Sequence, residues 1–333
     1  MKVLYAIQGT GNGHISRARE FIPKLSKLVD LEILISGSSV EVDPGYPVTY
    51  RFPGISYTFG KDGGIDYINT MFKLEPASFI KNVMQLDVSK YDLIINDYEP
   101  VSAWACKKRG IPCIALSHQA SFLSQKTPRP TKRNPATEWL FQHYAPTTNA
   151  IGFHYKTYDN FISTPVIRSE IRALKTSINE QVTVYLPSYS DSRLISVLSQ
   201  IKSVKWNVFS KHSTFEYETE NVKVVPVNND RYIHSLAESI GLLCGAGFEA
   251  PAEALFLGKK LFVIPMRGQY EQECNAVALD HLGVKSVDLF DQSILDNLKS
   301  WILDSTTIQI NYPDQTDQIL DKILNKQVSA VNN

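Results

Sequence analysis

The sequence is poor in cysteine, with four residues in a chain of 333: Cys106, Cys113, Cys244 and Cys274. Their spacing fits neither a zinc site nor a disulfide framework, and Cys113 and Cys244 fall inside apolar runs. They read as buried thiols of a reducing compartment, which predicts a cytoplasmic protein. Net charge is also missing, since 34 basic residues balance 34 acidic ones. A nucleic-acid binder usually carries a basic excess, so no nucleic-acid partner is expected. No apolar run reaches the roughly 18 residues of a membrane span. The opening MKVLYAI is too short for a signal peptide and reads as a first strand. Internal repeats, low-complexity tracts and the Gly-Lys-Ser/Thr of a Walker loop are absent as well.

What is present is a regular alternation. LEILIS (31–36), DLIIND (92–97) and PCIALS (112–117) are apolar strands with helical stretches around them. The pattern resumes with VTVYLPS (182–188), KWNVFS (205–210), VKVVPV (222–227), IGLLCG (240–245) and KLFVIP (260–265). Helices are expected at 230–238, 249–257, 270–282 and 314–326. Continuous apolar strands suit parallel sheets covered on both faces, so the fold class is α/β, with two open sheets built from βαβ units. Length supports two domains at roughly 100–200 residues each. We place them at 1–160 and 161–312, with a final segment 313–333 whose helix packs back on the first. Two stretches read as long loops: the glycine- and aromatic-rich 54–70, and the basic, proline-rich 124–141.

The stretch GTGNGHISRA (9–18) sits between strand and helix. Its glycines allow close backbone approach, and the helix start offers unpaired N–H donors, an anion site in outline. A plain strand-to-helix turn would look the same. A dinucleotide fingerprint is not met: His14 stands where a third glycine belongs, and no acid closes the second strand. His14 falls in the first helical turn, where the positive end of the helix dipole disfavours a protonated ring. A neutral imidazole can accept a proton, as a general base must. IINDYEP (94–100) ends another strand and offers an orienting carboxylate, with Asp97 the first choice and Glu99 the second.

In the second half, CGAGFEAPAEALFLGKKLFVIPMRGQYEQECNA (244–276) presents two successive strand ends on one edge. Gly245-Ala246-Gly247 opens into a helix carrying Glu249 and Glu253 on one face. The next loop carries Arg267, Gln269, Glu271, Gln272 and Asn275. Backbone donors, carboxylates and amides together fit a phosphorylated, hydroxyl-rich ligand.

These two stretches, in this order, resemble the inverting nucleotide-sugar glycosyltransferases with two Rossmann-like domains, the GT-B fold. The likeness is nearest to the family 28 enzymes, which include the lipid-linked N-acetylglucosaminyltransferase of peptidoglycan synthesis and the monogalactosyldiacylglycerol synthases. The resemblance implies a nucleoside diphosphate sugar, a UDP-sugar by family, as donor and a hydroxyl acceptor, lipid-linked or glycan. It also implies two parallel sheets facing across a cleft and no metal or other cofactor. It places Gly11 and Gly13 over the diphosphate from one side and Gly245, Ala246, Gly247 and Phe248 on the other. Glu253 would hold the ribose, and Glu271 and Gln272 the sugar, with Glu249 and Gln269 in the same donor site. His14 with Asp97 would be catalytic. Two other readings share the donor site: a UDP-N-acetylglucosamine 2-epimerase, and a non-catalytic sugar-nucleotide-binding protein. Lys126, Arg129, Lys132 and Arg133 before Trp139 and Phe141 suit contact with the inner face of an anionic membrane.

Overall fold

The computed structural model describes residues 1–10, 12–37, 43–53, 76–325, 328 and 330. Gly11 and the segment 54–70 therefore lie outside the described residues. In the first half, β1 (Lys2–Gln8), β2 (Asp30–Ser36), β3 (Tyr50–Phe52), β4 (Leu93–Asp97), β5 (Ile114–Ser117), β6 (Asn149–Phe153) and β7 (Ile162–Ser163) share one sheet. Its order is β3-β2-β1-β4-β5-β6-β7, parallel throughout. The accompanying helices are α1 (Asn12–Leu25), α2 (Pro76–Gln85), α3 (Pro100–Arg109) and α4 (Pro135–His143). The sheet runs past the expected division at 160, because Ile162–Ser163 pairs with β6.

A short helix, α5 (Ser169–Arg172), leads into the second half. There β8 (Gln181–Tyr185), β9 (Lys205–Ser210), β10 (Tyr217–Thr219), β11 (Val222–Pro226), β12 (Gly241–Cys244), β13 (Lys260–Val263) and β14 (Lys285–Ser286) form a sheet ordered β10-β11-β9-β8-β12-β13-β14. β10 runs antiparallel to β11 and the other pairs are parallel. Its helices are α6 (Asp191–Leu198), α7 (Asn229–Glu238), α8 (Glu249–Phe256), α9 (Tyr270–Asp280) and α10 (Leu295–Leu303). A last helix, α11 (Thr316–Leu324), lies against α1, where Lys24 pairs with Asp317 at 3.0 Å and Asp314 at 3.4 Å.

The central strands are apolar along their length because helices cover both faces; in β1 every residue from Val3 to Gln8 is buried. Each sheet reverses its winding once, between β1 and β4 and between β8 and β12. The crevice beyond the carboxyl ends of the strands at such a reversal is where open α/β sheets bind ligands. His14 follows β1, Asp97 ends β4, and Gly245 follows β12, so both quoted motifs open onto these reversals.

Local chemistry explains the turn after β4. Asn96 Nδ2 donates to the Glu99 carbonyl at 2.7 Å, and Glu99 N donates to Asn96 Oδ1 at 3.0 Å. Tyr98 takes a left-handed φ of 56° between them. Glu99 then caps α3, accepting from Val101 N and Ser102 N at 2.7 Å each, and Pro100 supplies the first helical residue. Segment 124–141 is not the loop expected throughout. Its second part enters α4, capped by Asn134 with Pro135 at the first position, the same N-terminal signature.

Candidate active site

His14 and Asp97 meet: Nδ1 of the histidine lies 2.7 Å from Asp97 Oδ1. Asp97 is fully buried. Burial alone would raise its carboxyl, but the charges of Arg17 and then His14 outweigh that and hold it below the usual carboxylate range. An ionised Asp97 can only accept, and at 2.7 Å it favours the Nδ1–H form of His14 over acceptance from Arg17 Nη2, which lies 3.2 Å from the same nitrogen. That leaves the lone pair on Nε2 to take a proton. The His14 side chain keeps 12% of its surface exposed.

Arg17, one turn further along α1, was not anticipated. Its guanidinium donates to Asp97 Oδ1 at 2.7 Å and to Oδ2 at 2.9 and 3.1 Å. A further bond, Nη1 to Glu249 Oε1 at 2.6 Å, crosses to the second half. Burial would lower the Arg17 pKa, yet the two carboxylates raise it above its ordinary value. Gly13 belongs to the same contact, since a Cβ there would stand 2.6 Å from Glu249 Oε2.

The second-half loops complete the site. The loop Gly245–Phe248 leads into α8, whose first N–H groups receive no side-chain cap, in contrast to α3 and α4. Uncapped donors at a helix start suit an anion. A Cβ on Gly247 would meet nothing within 4 Å, so space lies open there. Phe248 stacks on His118 at 3.9 Å, and Tyr155 donates to the Gly247 carbonyl at 2.8 Å. Asn275 Nδ2 donates to the Ala246 carbonyl at 3.1 Å. Burial pushes His118 down to about 3. The neutral ring therefore donates to one of its two oxygen neighbours, the Phe153 carbonyl or Asn275 Oδ1.

Glu271 accepts from Gln119 Nε2 at 3.1 Å, and burial raises its carboxyl pKa. Gln272 turns back to accept from Met266 N at 2.9 Å and lies near Gly245. Gln269 starts α9, and its Oε1 is buried without a hydrogen-bond partner among the described residues. Glu253 is 3% exposed and gripped by Arg168, Nε to Oε1 at 2.5 Å and Nη2 to Oε2 at 2.9 Å. Burial raises the Glu253 carboxyl despite that arginine.

Two expectations need correction. Glu99 is the cap of α3 and also takes the Ser36 hydroxyl at 2.6 Å, so it is not a partner of His14. The basic segment does not present all its charges. Arg129 turns inward to Glu138 at 2.7 Å and over the Phe122 ring, while Phe141 is buried against Phe122. Lys126, Lys132, Arg133 and Trp139 remain at the surface. No described helix is long and apolar enough to cross a membrane. An open polar groove of about 650 Å³, lined by Lys126, Asp159, Asn160, Gln315, Gln318 and Lys322 among others, shares no residue with the site.

Arg17, His118 and Arg168 each had a faint signal. Arg17 is a charge within the buried face of an amphipathic helix, one turn from His14. His118 directly follows the end of β5. Arg168 lies in the segment where periodicity fades.

Comparison with known proteins agrees with this architecture. The family model described as Glycosyl transferase family 1 matches residues 1–302. Among curated proteins none matches in sequence. Solved structures with the same fold include MurG of Acinetobacter baumannii, at 15% identity and a TM-score of 0.55 over 97% of this chain and 99% of that one. The glycosyltransferase VinC in complex with dTDP aligns at 12% identity and 0.54, covering 97% and 95%. A UDP-N-acetylglucosamine 2-epimerase aligns at 11% identity and 0.60, covering 98% and 96%.

Proposed function

The chain belongs to glycosyl transferase family 1, and on that footing we propose that this glycosyltransferase moves a sugar from a UDP-sugar to a hydroxyl acceptor with inversion. The observation that carries the reading is the His14–Asp97 contact at the mouth of the first sheet, facing the uncapped α8 of the second. The acceptor oxygen attacks the anomeric carbon while Nε2 of His14 takes its proton. The bond to the diphosphate breaks in the same displacement, and its electron pair leaves with UDP. Backbone N–H groups at Gly245–Phe248 and the starts of α1 and α8 stabilise the departing charge, an effect worth several kcal/mol when preorganised. No metal is assigned a part.

Glu253 takes the ribose hydroxyls, with Arg168 fixing its orientation and leaving lone pairs on both oxygens. Glu271 with Gln119 addresses the sugar. Lys126, Lys132, Arg133 and Trp139 favour an acceptor presented at an anionic surface, such as a lipid-linked one.

His14→Ala tests the mechanism. UDP affinity by calorimetry should stay within about twofold of the parent. Acceptor-dependent release of UDP should fall roughly 10²–10⁴-fold, the range for a lost general base. A variant that turns over like the parent while binding UDP would rule out His14 as the base. Inversion at C2 of the UDP-sugar with no acceptor consumed would point instead to the epimerase chemistry of the same fold.

A further inference from the structure

We infer that Arg17 is a positioning residue that makes alignment of the His14–Asp97 pair depend on docking of the second half's α8. The inference rests on the transferase reading for its purpose, but its geometry stands on four side chains in unbroken contact. His14 bonds Asp97, Asp97 bonds Arg17, and Arg17 bonds Glu249. The first three sit on α1 and β4, and the fourth is the first residue of α8.

A guanidinium is a rigid planar fork, so its bonds cannot be adjusted one at a time. Arg17 spends Nε and Nη2 on Asp97 and Nη1 on Glu249. Any shift of Glu249 therefore turns the whole fork and changes how it meets the Asp97 oxygens. Asp97 Oδ1 receives both Arg17 Nη2 and His14 Nδ1 at 2.7 Å, so that turn is felt directly at the histidine. Charge points the same way. One buried guanidinium serves two carboxylates, and the His14 N–H adds a further donor to Asp97 Oδ1. A bond made only to brace Asp97 would need no partner from the other half. The approach is close, since a Cβ on Gly13 would push the Glu249 carboxylate aside.

The test reads the histidine itself and needs no substrate. In the full chain labelled with ¹⁵N-histidine, long-range ¹H–¹⁵N spectra report which ring nitrogen of His14 carries the proton. The His14 signal is assigned by its absence in His14→Gln. The parent should show a single Nδ1–H form. Glu249→Gln touches neither His14 nor Asp97, and the Glu249 side chain is 29% exposed, so folding should survive. Its two ring-nitrogen shifts should converge as the ring exchanges between tautomers. Arg17→Lys keeps the charge but loses the fork, and should give the same convergence. A His14 spectrum unchanged in either folded variant would overturn the inference. Failure of UDP to bind any of these proteins would instead remove the transferase reading, with the tautomer result still deciding the role of Arg17.

Discussion

At the scale of single residues, His14 and Asp97 could be read from the sequence because each follows or ends an apolar strand, and strand ends in open sheets converge. Arg17 could not, because a buried arginine is defined by its partners, and Asp97 and Glu249 come from distant parts of the chain. Glu99 misled for a related reason: a carboxylate at a strand end looks the same whether it faces a cleft or caps the next helix. The Asp97 carboxyl is held below its ordinary range, which makes the protein acid-sensitive in a defined sense. A carboxylate whose folded pKa is depressed gives stability that is complete above the unfolded value, about 3.9. That stability is lost as pH falls through the folded value. Removing one partner of such a buried pair costs about 3–5 kcal/mol. Urea midpoints of the parent and Asp97→Asn should therefore differ most at neutral pH and draw together below pH 4. A gap that stays constant down to pH 3 would show that folding does not lower the Asp97 pKa.

At the scale of elements, the strands of both sheet centres were legible because burial on both faces demands continuous apolar sequence. The edge strands β3, β7, β10 and β14 were not, since two or three residues carry no period. The strand β6 was obscured because it lies where the chain passes toward the second half. The helix α4 was hidden by the prolines and charges that suggested a loop, although Asn134-Pro135 is a start signal. Capping also fixes what Glu99 contributes. Glu99→Ala removes the bonds to Val101 N and Ser102 N and leaves the Ser36 hydroxyl unpaired. The loss should be about 1–2 kcal/mol, the usual scale for a helix cap. A lower melting temperature with the His14 ring spectrum unchanged is the expected result. A changed His14 spectrum would return Glu99 to the site.

At the scale of the whole molecule, several of the polar contacts between the two halves involve candidate site residues. Arg17 reaches Glu249, Gln119 reaches Glu271, and Tyr155 reaches Gly247. Stacking of His118 on Phe248 adds an apolar seam. None of this was legible from either motif alone, because each pair joins residues with no fixed spacing in sequence. Such an interface places first-half groups beside the second-half loops that we assign to the donor. Those loops, we propose, bind a nucleoside diphosphate. A ligand at a hundred times its dissociation constant adds about 2.7 kcal/mol to stability. For a domain of this size that is a rise of roughly 5–10 °C in melting temperature. Thermal unfolding with UDP, other nucleoside diphosphates and NAD, each in excess, should show that rise with UDP and none with NAD. Stabilisation by NAD with no response to any nucleoside diphosphate would contradict the account.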